Sequence, residues 1–276
     1  GIALALVVML LAQPDFGSAS LILAVTGGML LLGGASLIRL FGPLIVGLPA
    51  FAAVAMSQAY RMRRLTTFLN PWADPFKDGF QLTQALIAVG RGQWFGVGLG
   101  GSVQKLFYLP EAHTDFILAV IAEELGFVGV LAIVLLYAAF TARCMQIGLR
   151  AAALGRHFAA NCMFGVALWF SLQALVSVGV NLGLLPTKGL TLPMISYGGS
   201  SVLMSVAVIG LLLRVSYEVD RAQRQVARAR ADAMPAELAP EPAPSAASQG
   251  PIPTPLGPRE RKSPRERIEP RIGAAV

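Results

Sequence analysis

The chain has 276 residues, 55% hydrophobic and 13% charged, with a formal net charge of +7 and a mean hydropathy of +0.65. A soluble domain averages about 25% charged residues, so this composition argues against a soluble enzyme, a nucleic-acid reader or a disordered regulator. Twelve Lys/Arg stand against seven Asp/Glu before residue 215 and ten against eight after it; the basic excess is spread out, and points to membrane orientation and anionic head groups.

Apolar segments follow in order at 1–12, 17–35, 41–59, 116–142, 158–180 and 191–213. At 1.5 Å per residue the last five are long enough to cross about 30 Å of hydrocarbon as helices. The first is too short. A chain that opens inside an apolar run, with neither Met nor a signal-peptide n-region, is expected to continue a longer protein upstream. The expected fold is all-α, a polytopic integral membrane protein with a membrane domain over 1–214 and a cytoplasmic tail over 215–276. Cys144 and Cys162 fall on the side assigned to the cytoplasm, where a structural disulfide is not expected, and two Cys with two His do not suggest a zinc cluster.

Asp15, at the break Pro14-Asp15-Phe-Gly17, is placed to cap the following helix or to line a cavity. The 60–115 connection is too long for a turn. It holds a short helical pattern from Gln81 to Val89, then Gly90, Gly92, Gly96, Gly98, Gly100 and Gly101, which interrupt regular structure. A partly re-entrant loop fits, because irregular backbone cannot face lipid, and Trp72, Trp94, Phe107 and Tyr108 suit head-group depth. Gly96-Val-Gly98-Leu-Gly-Gly101 spells a dinucleotide motif but lacks the strand before it and the βαβ setting; tight turns and close backbone approach explain its glycines better.

Arg143, Arg150 and Arg156, and later Arg221, Arg224, Arg228 and Arg230, put 143–157 and the tail inside, and 60–115 and 181–190 outside. Arg61, Arg63, Arg64, Lys77, Arg91 and Lys105 then lie outside against the positive-inside rule, which hints at anion binding there. The tail carries ten prolines between 235 and 270 and reads as disordered.

Tyr108-Leu-Pro-Glu111-Ala-His113-Thr114-Asp115 stands where the outer loop enters a spanning helix. Thr114 or Asp115 is expected to cap that helix; the other reading of the carboxylate is a general base at the membrane surface. His113 reads as a hydrogen-bonded neighbour more readily than as a metal ligand. Glu123 and Glu124 lie about 12 to 14 Å along the same helix, and are read first as a buried network between helices and second as substrate contacts. Leu185 to Ser200 is a polar, Gly/Pro-rich passage containing Lys188 and Ser196. Such breaks line cavities, and Lys188 either snorkels to the interface or contacts a phosphate.

These residues carry a resemblance. Ala12-Gln-Pro-Asp-Phe-Gly17, Tyr60-Arg-Met-Arg-Arg64, Phe68-Leu-Asn-Pro-Trp-Ala-Asp-Pro75, Gly79-Phe-Gln-Leu-Thr-Gln84, Gly90-Arg-Gly92, Gly100 to Asp115 and Leu185 to Ser201 together resemble the C-terminal part of the SEDS family of membrane glycosyltransferases over about residues 1–220. Asn70-Pro71-Trp72 and Gln104-Lys105-Leu106 favour its cell-division branch. The resemblance implies a ten-helix fold whose first four helices and part of the fifth are not in this chain. It implies polymerisation of lipid II into glycan strands, inverting at the anomeric carbon, at the division septum of the inner membrane. The implied partners are lipid II, the growing strand, an FtsI-like class B penicillin-binding transpeptidase and other division proteins.

The resemblance makes Asp115 the catalytic carboxylate. Arg61, Arg63, Arg64, Lys105, Glu111, His113, Lys188, Ser196 and Asp15 are the candidates for substrate binding. No tightly bound cofactor is implied, and a divalent cation, Mg or Mn, is a candidate companion of the pyrophosphate with no ligand residues assigned. The competing readings are a lipid II flippase, which needs no general base, and a non-catalytic membrane scaffold for division proteins.

Overall fold

The computed structural model describes residues 1–13, 15–36, 66–77, 79–187 and 189–232, with positions 42, 45, 47 and 49. Apart from those four positions, which are helical, the expected span at 41–59 lies outside these residues, as do the candidates Arg61, Arg63, Arg64 and Lys188 and nearly all of the tail. Gly1–Arg228 forms one compact unit and Ala229–Val276 a second; of the second, the described residues 229–232 are helical.

Regular structure among the described residues is all helical: α1 (Ile2–Ala12), α2 (Phe16–Leu32), α3 (Phe80–Gly92), α4 (Ile117–Ala153), α5 (His157–Asn181) and α6 (Gly199–Asp232), with a 3-10 turn at Pro71–Ala73 and a π turn at Gln104–Tyr108. Helices α4, α5 and α6 are long and apolar enough to cross a membrane, so the protein is a polytopic membrane helical bundle. The expected spans at 116–142, 158–180 and 191–213 correspond to them. The expected span at 17–35 becomes α2, 17 residues long, which gives about 25 Å. Gly33 ends it, and Gly34 follows at φ +82, a conformation that glycine adopts without strain.

Helices α4 and α6 outrun the expected hydrophobic limits. The inside connection expected at 143–157 is helical as far as Ala153, because Cys144, Ile147 and Ala151 keep the three- and four-residue spacing of a buried stripe. Helix α6 continues past 213 on Leu212, Val215, Val219 and Ala222, and all but the last join Met163, Ala167 and Phe170 of α5 in one core. A second core lies at the other end of α5, where Ala85 and Ala88 of α3 meet Phe116, Ala119 and Val120 around α4's start, with Val180 of α5. Small residues let these backbones approach where hydrocarbon surroundings give no hydrophobic drive. The same device joins α2 to α5, since a methyl at Gly28 would sit 2.9 Å from a Leu168 methyl.

Candidate active site at the α4 entrance

Neither Thr114 nor Asp115 is the N-cap residue of α4. The N-cap residue is Phe116, with no side-chain cap. Thr114 Oγ1 instead donates to Glu111 Oε2 at 2.8 Å. The amide of Ala119 is shared between the Phe116 carbonyl and Asn181 Oδ1, both at 3.0 Å, so the last residue of α5 helps to satisfy the first turn of α4. Asn181 Nδ2 in turn donates to the Asp115 carbonyl at 3.0 Å and to the Ser177 carbonyl at 2.8 Å. Asn181 is wholly buried. Its three bonds fix the backbone of Asp115 against α5.

The passage before α6 closes over the same turn. Ser196 Oγ donates to the Thr114 carbonyl at 2.6 Å and accepts from the Leu192 amide at 2.7 Å. The Tyr197 amide donates to the His113 carbonyl at 2.9 Å. A methyl at Gly189 would lie 3.2 Å from Asp115 Oδ2, so the carboxylate rests against this passage. On its other side, a methyl at Gly17 would lie 3.5 Å from the Leu190 side chain. Asp15 caps α2 there, accepting from the Ser18 amide at 3.0 Å. Segment 189–190 thus runs between the start of α2 and Asp115.

Deeper along α4 the helix is interrupted. Gly126 takes φ +67 and ψ −163, about 14 Å past the first residue, and two helical hydrogen bonds are lost. Loop 93–98 enters the gap. The freed carbonyls of Glu123 and Glu124 accept from the Val97 and Gly98 amides at 2.9 and 3.0 Å. The freed amides of Phe127 and Val128 donate to the Gln93 and Trp94 carbonyls at 2.8 and 3.2 Å. Trp94 packs edge-on to Phe127, ring centroids 5.4 Å apart. No side chain fits at the junction: a Cβ at Gly92 would overlap the Ala122 carbonyl, and one at Gly96 the Glu124 carbonyl. These glycines are there for close approach.

Glu123, wholly buried, ties down the rest of the loop. Its carboxylate accepts from Arg91 Nη1 at 3.1 Å, Ser102 Oγ at 2.5 Å, and the Val103 and Gln104 amides at 3.2 and 3.3 Å. Glu124 pairs with Lys105 Nζ at 2.5 Å. Both carboxylates are therefore structural ties of the first kind expected.

The structure thus brings Asp115, His113, Glu111 and Ser196 into one bonded turn, with Asp15 across segment 189–190. Glu111 and His113 are exposed there. Ser196 is buried and holds backbone on both sides, and Lys105 belongs to the Glu124 pair. Among the described residues no group of three or more His, Cys, Asp or Glu converges as a metal site. Sequence reasoning missed Asn181, Gly126 and Ser102. A lone Asn closing an apolar helix and a lone Gly within a helical pattern were the available signals.

A family model described as cell cycle protein, FTSW_RODA_SPOVE, matches residues 1–221. The chain belongs to that family. It is 58% identical over 219 residues to a probable peptidoglycan glycosyltransferase FtsW of Xanthomonas oryzae pv. oryzae, covering 79% of this chain and 45% of the relative. The corresponding protein of Thioalkalivibrio sulfidiphilus is 58% identical over 212 residues, covering 76% of this chain and 52% of the relative. The chain spans about half the length of the curated relatives it matches. Among solved structures, it matches a peptidoglycan synthase complex that coordinates polymerization and crosslinking, with TM-score 0.61 and 31% identity over 79% of this chain and 60% of that one. It also matches the rod shape determining protein RodA of Thermus thermophilus, with TM-score 0.51 and 30% identity over 78% of this chain and 54% of that one. Family and spanning helices together make it a multi-pass protein of the inner membrane.

Proposed function

We propose that this chain forms the C-terminal, catalytic part of a peptidoglycan glycosyltransferase that polymerises lipid II at the division septum. The observation that carries this reading is the Asp115 carboxylate, whose backbone is fixed by Asn181 at the mouth of a spanning helix while its oxygen rests against Gly189. The activity named for the curated relatives supports it.

In the reaction, the C4 hydroxyl of GlcNAc on one lipid-linked substrate attacks C1 of MurNAc on another, and undecaprenyl pyrophosphate leaves with inversion. A sugar hydroxyl is a poor nucleophile, so Asp115 takes its proton as the bond forms. Arg61, Arg63, Arg64 and Lys188 are assigned to the charge developing on the pyrophosphate. A single displacement needs no second carboxylate nucleophile. Loop 93–105 is read as re-entrant, since it meets α4 about 9 to 16 Å along the helix and is covered by protein where it does so. An FtsI-like transpeptidase is the proposed partner, supported by the match to a synthase complex that also crosslinks.

The test is Asp115→Asn in the full-length protein with a stalled transpeptidase partner, supplied with purified lipid II. Glycan-strand formation is expected to fall about 10²- to 10⁴-fold, the value of general-base assistance, with thermal stability and lipid II binding unchanged. Polymerisation within about threefold of the parent, well short of that loss, removes Asp115 as the base. A flippase would keep its transport in the same variant.

A further inference from the structure

At the end of the bundle remote from Asp115, the start of α5 and the middle of α6 enclose a polar concavity of about 300 Å³ lined by Arg156, Arg214, Tyr217, Glu218, Arg221 and Gln225. Three guanidinium groups line it beside one carboxylate, and two of them pair with that carboxylate. Glu218 Oε1 accepts from Arg214 Nε at 2.7 Å, while Arg156 Nη1 stands 3.6 Å from Oε2, too long for a hydrogen bond. Each guanidinium carries five donors in a planar fork. One carboxylate leaves most of these donors to solvent or to a ligand, and the pocket keeps two positive charges in excess.

Its depth says which anion it meets. The apolar run of α6 ends at Leu213, and Arg214 follows directly. Arg221 stands two turns, about 10 Å, farther out, a distance that covers the head-group layer beyond the hydrocarbon core. Tyr217, 60% exposed, lies between them where interfacial aromatics collect. Phe158, one residue inside α5, is 84% exposed, another aromatic at this level.

We propose that this pocket binds the phosphate of an anionic phospholipid head group, Arg156, Arg214 and Arg221 gripping it as planar forks that match phosphate oxygens. Basic pockets between helix ends take such head groups in other membrane proteins. The site is independent of the glycosyltransferase reading: α5, 25 residues long, keeps it about 37 Å from Asn181.

The test uses the full chain in nanodiscs of phosphatidylcholine doped with phosphatidylglycerol or cardiolipin, with binding read from spin-labelled lipid. Anionic lipid is expected to bind in preference to phosphatidylcholine. Arg221→Gln should weaken it about fivefold, and the triple change of Arg156, Arg214 and Arg221 to Gln on the order of a hundredfold. Glu218→Gln should act in the opposite direction and tighten binding severalfold, because it releases Arg156 and Arg214; a purely structural ion pair could not give that sign. Millimolar inorganic phosphate should leave the labelled lipid in place. The proposal is overturned by equal binding of the neutral and anionic lipids, by a folded Glu218→Gln protein that binds no tighter, or by displacement with inorganic phosphate, which would make this a soluble-anion site. If the triple variant does not fold, the Glu218→Gln result decides alone.

Discussion

Replacing Gly126 by Ala tests whether loop 93–98 is built into α4. The backbone there sits at φ +67 and ψ −163, a region that costs a residue with a Cβ about 1–3 kcal/mol. The new methyl would also stand 2.6 Å from the Phe95 amide nitrogen and from the Trp94 carbonyl carbon, so the loop must move. If α4 closes into a regular helix, the four loop bonds are exchanged for two helical ones. The net loss of two hydrogen bonds is about 1–3 kcal/mol, and moving the loop also strains the Glu123 ties. Strain without closure and closure without strain are alternatives, so the expected destabilisation is about 1–3 kcal/mol by either route, an appreciable share of the roughly 5–15 kcal/mol that holds a domain. Hydrogen exchange read by mass spectrometry on segment 93–105 should show protection lost at Val97 and Gly98, alongside a lower unfolding midpoint in detergent. Gly90→Ala is the control. That glycine lies inside α3 with open space at its Cβ, so alanine should stabilise by about 0.5–1 kcal/mol. A Gly126→Ala protein with unchanged exchange at Val97 and Gly98, and stability within about 1 kcal/mol of the parent, refutes the reasoning.

Asn181→Ala removes three hydrogen bonds and leaves the Ala119 amide with only its bond to the Phe116 carbonyl; a loss of about 2–4 kcal/mol is expected by chemical denaturation, with polymerisation falling more than lipid II binding because Asp115 is no longer held. Glu123→Gln puts an NH₂ group among four donors and should cost about 3–5 kcal/mol, whereas Arg91→Gln should cost less, its side chain being 46% exposed; comparable losses in the two variants would show that the carboxylate is not the hub. For orientation, single cysteines replacing Phe76 and Ser248, with Cys144 and Cys162 removed, should label with an impermeant reagent in intact spheroplasts only at 76. Equal labelling at both positions sinks the assignment of the tail to the cytoplasm.

The positions of the spans were legible because hydrocarbon imposes a length on an apolar run. Their ends were not. Arg143 and Arg150 look like the start of a loop, yet long basic side chains snorkel from a helix that continues beneath them, and the buried stripe through Ile147 and Ala151 carries α4 on. At α6 the apolar run begins near 191 but the helix begins at Gly199, since Ser196 takes the Leu192 amide and Met194 turns to φ +67. The site was legible as a set of residue types around Asp115. Its support was not, because the cap of α4 comes from Asn181, 62 residues beyond the amide it satisfies, and short-range cues favour Thr114 and Asp115. The buried-network reading of Glu123 and Glu124 was available from depth alone; their partners Ser102 and Lys105 were not, being set by the path of a glycine-rich loop.

The exchange of bonds at Gly126 also bears on biogenesis. A transmembrane segment leaving the translocon needs its backbone groups paired within itself, since lipid offers no partners. As an uninterrupted helix, 117–153 meets that requirement alone. As an interrupted one, it meets it only when 93–98 is already in the gap. Insertion of α4 into the bilayer and docking of the loop at its interruption are then expected to be separable events, because the two amides and two carbonyls freed at Gly126 find their partners only in 93–98. Variants that insert normally but never mature would be the mark of damage at Gly92, Gly96 or Gly126, while damage to the apolar stripe of α4 would show at insertion itself.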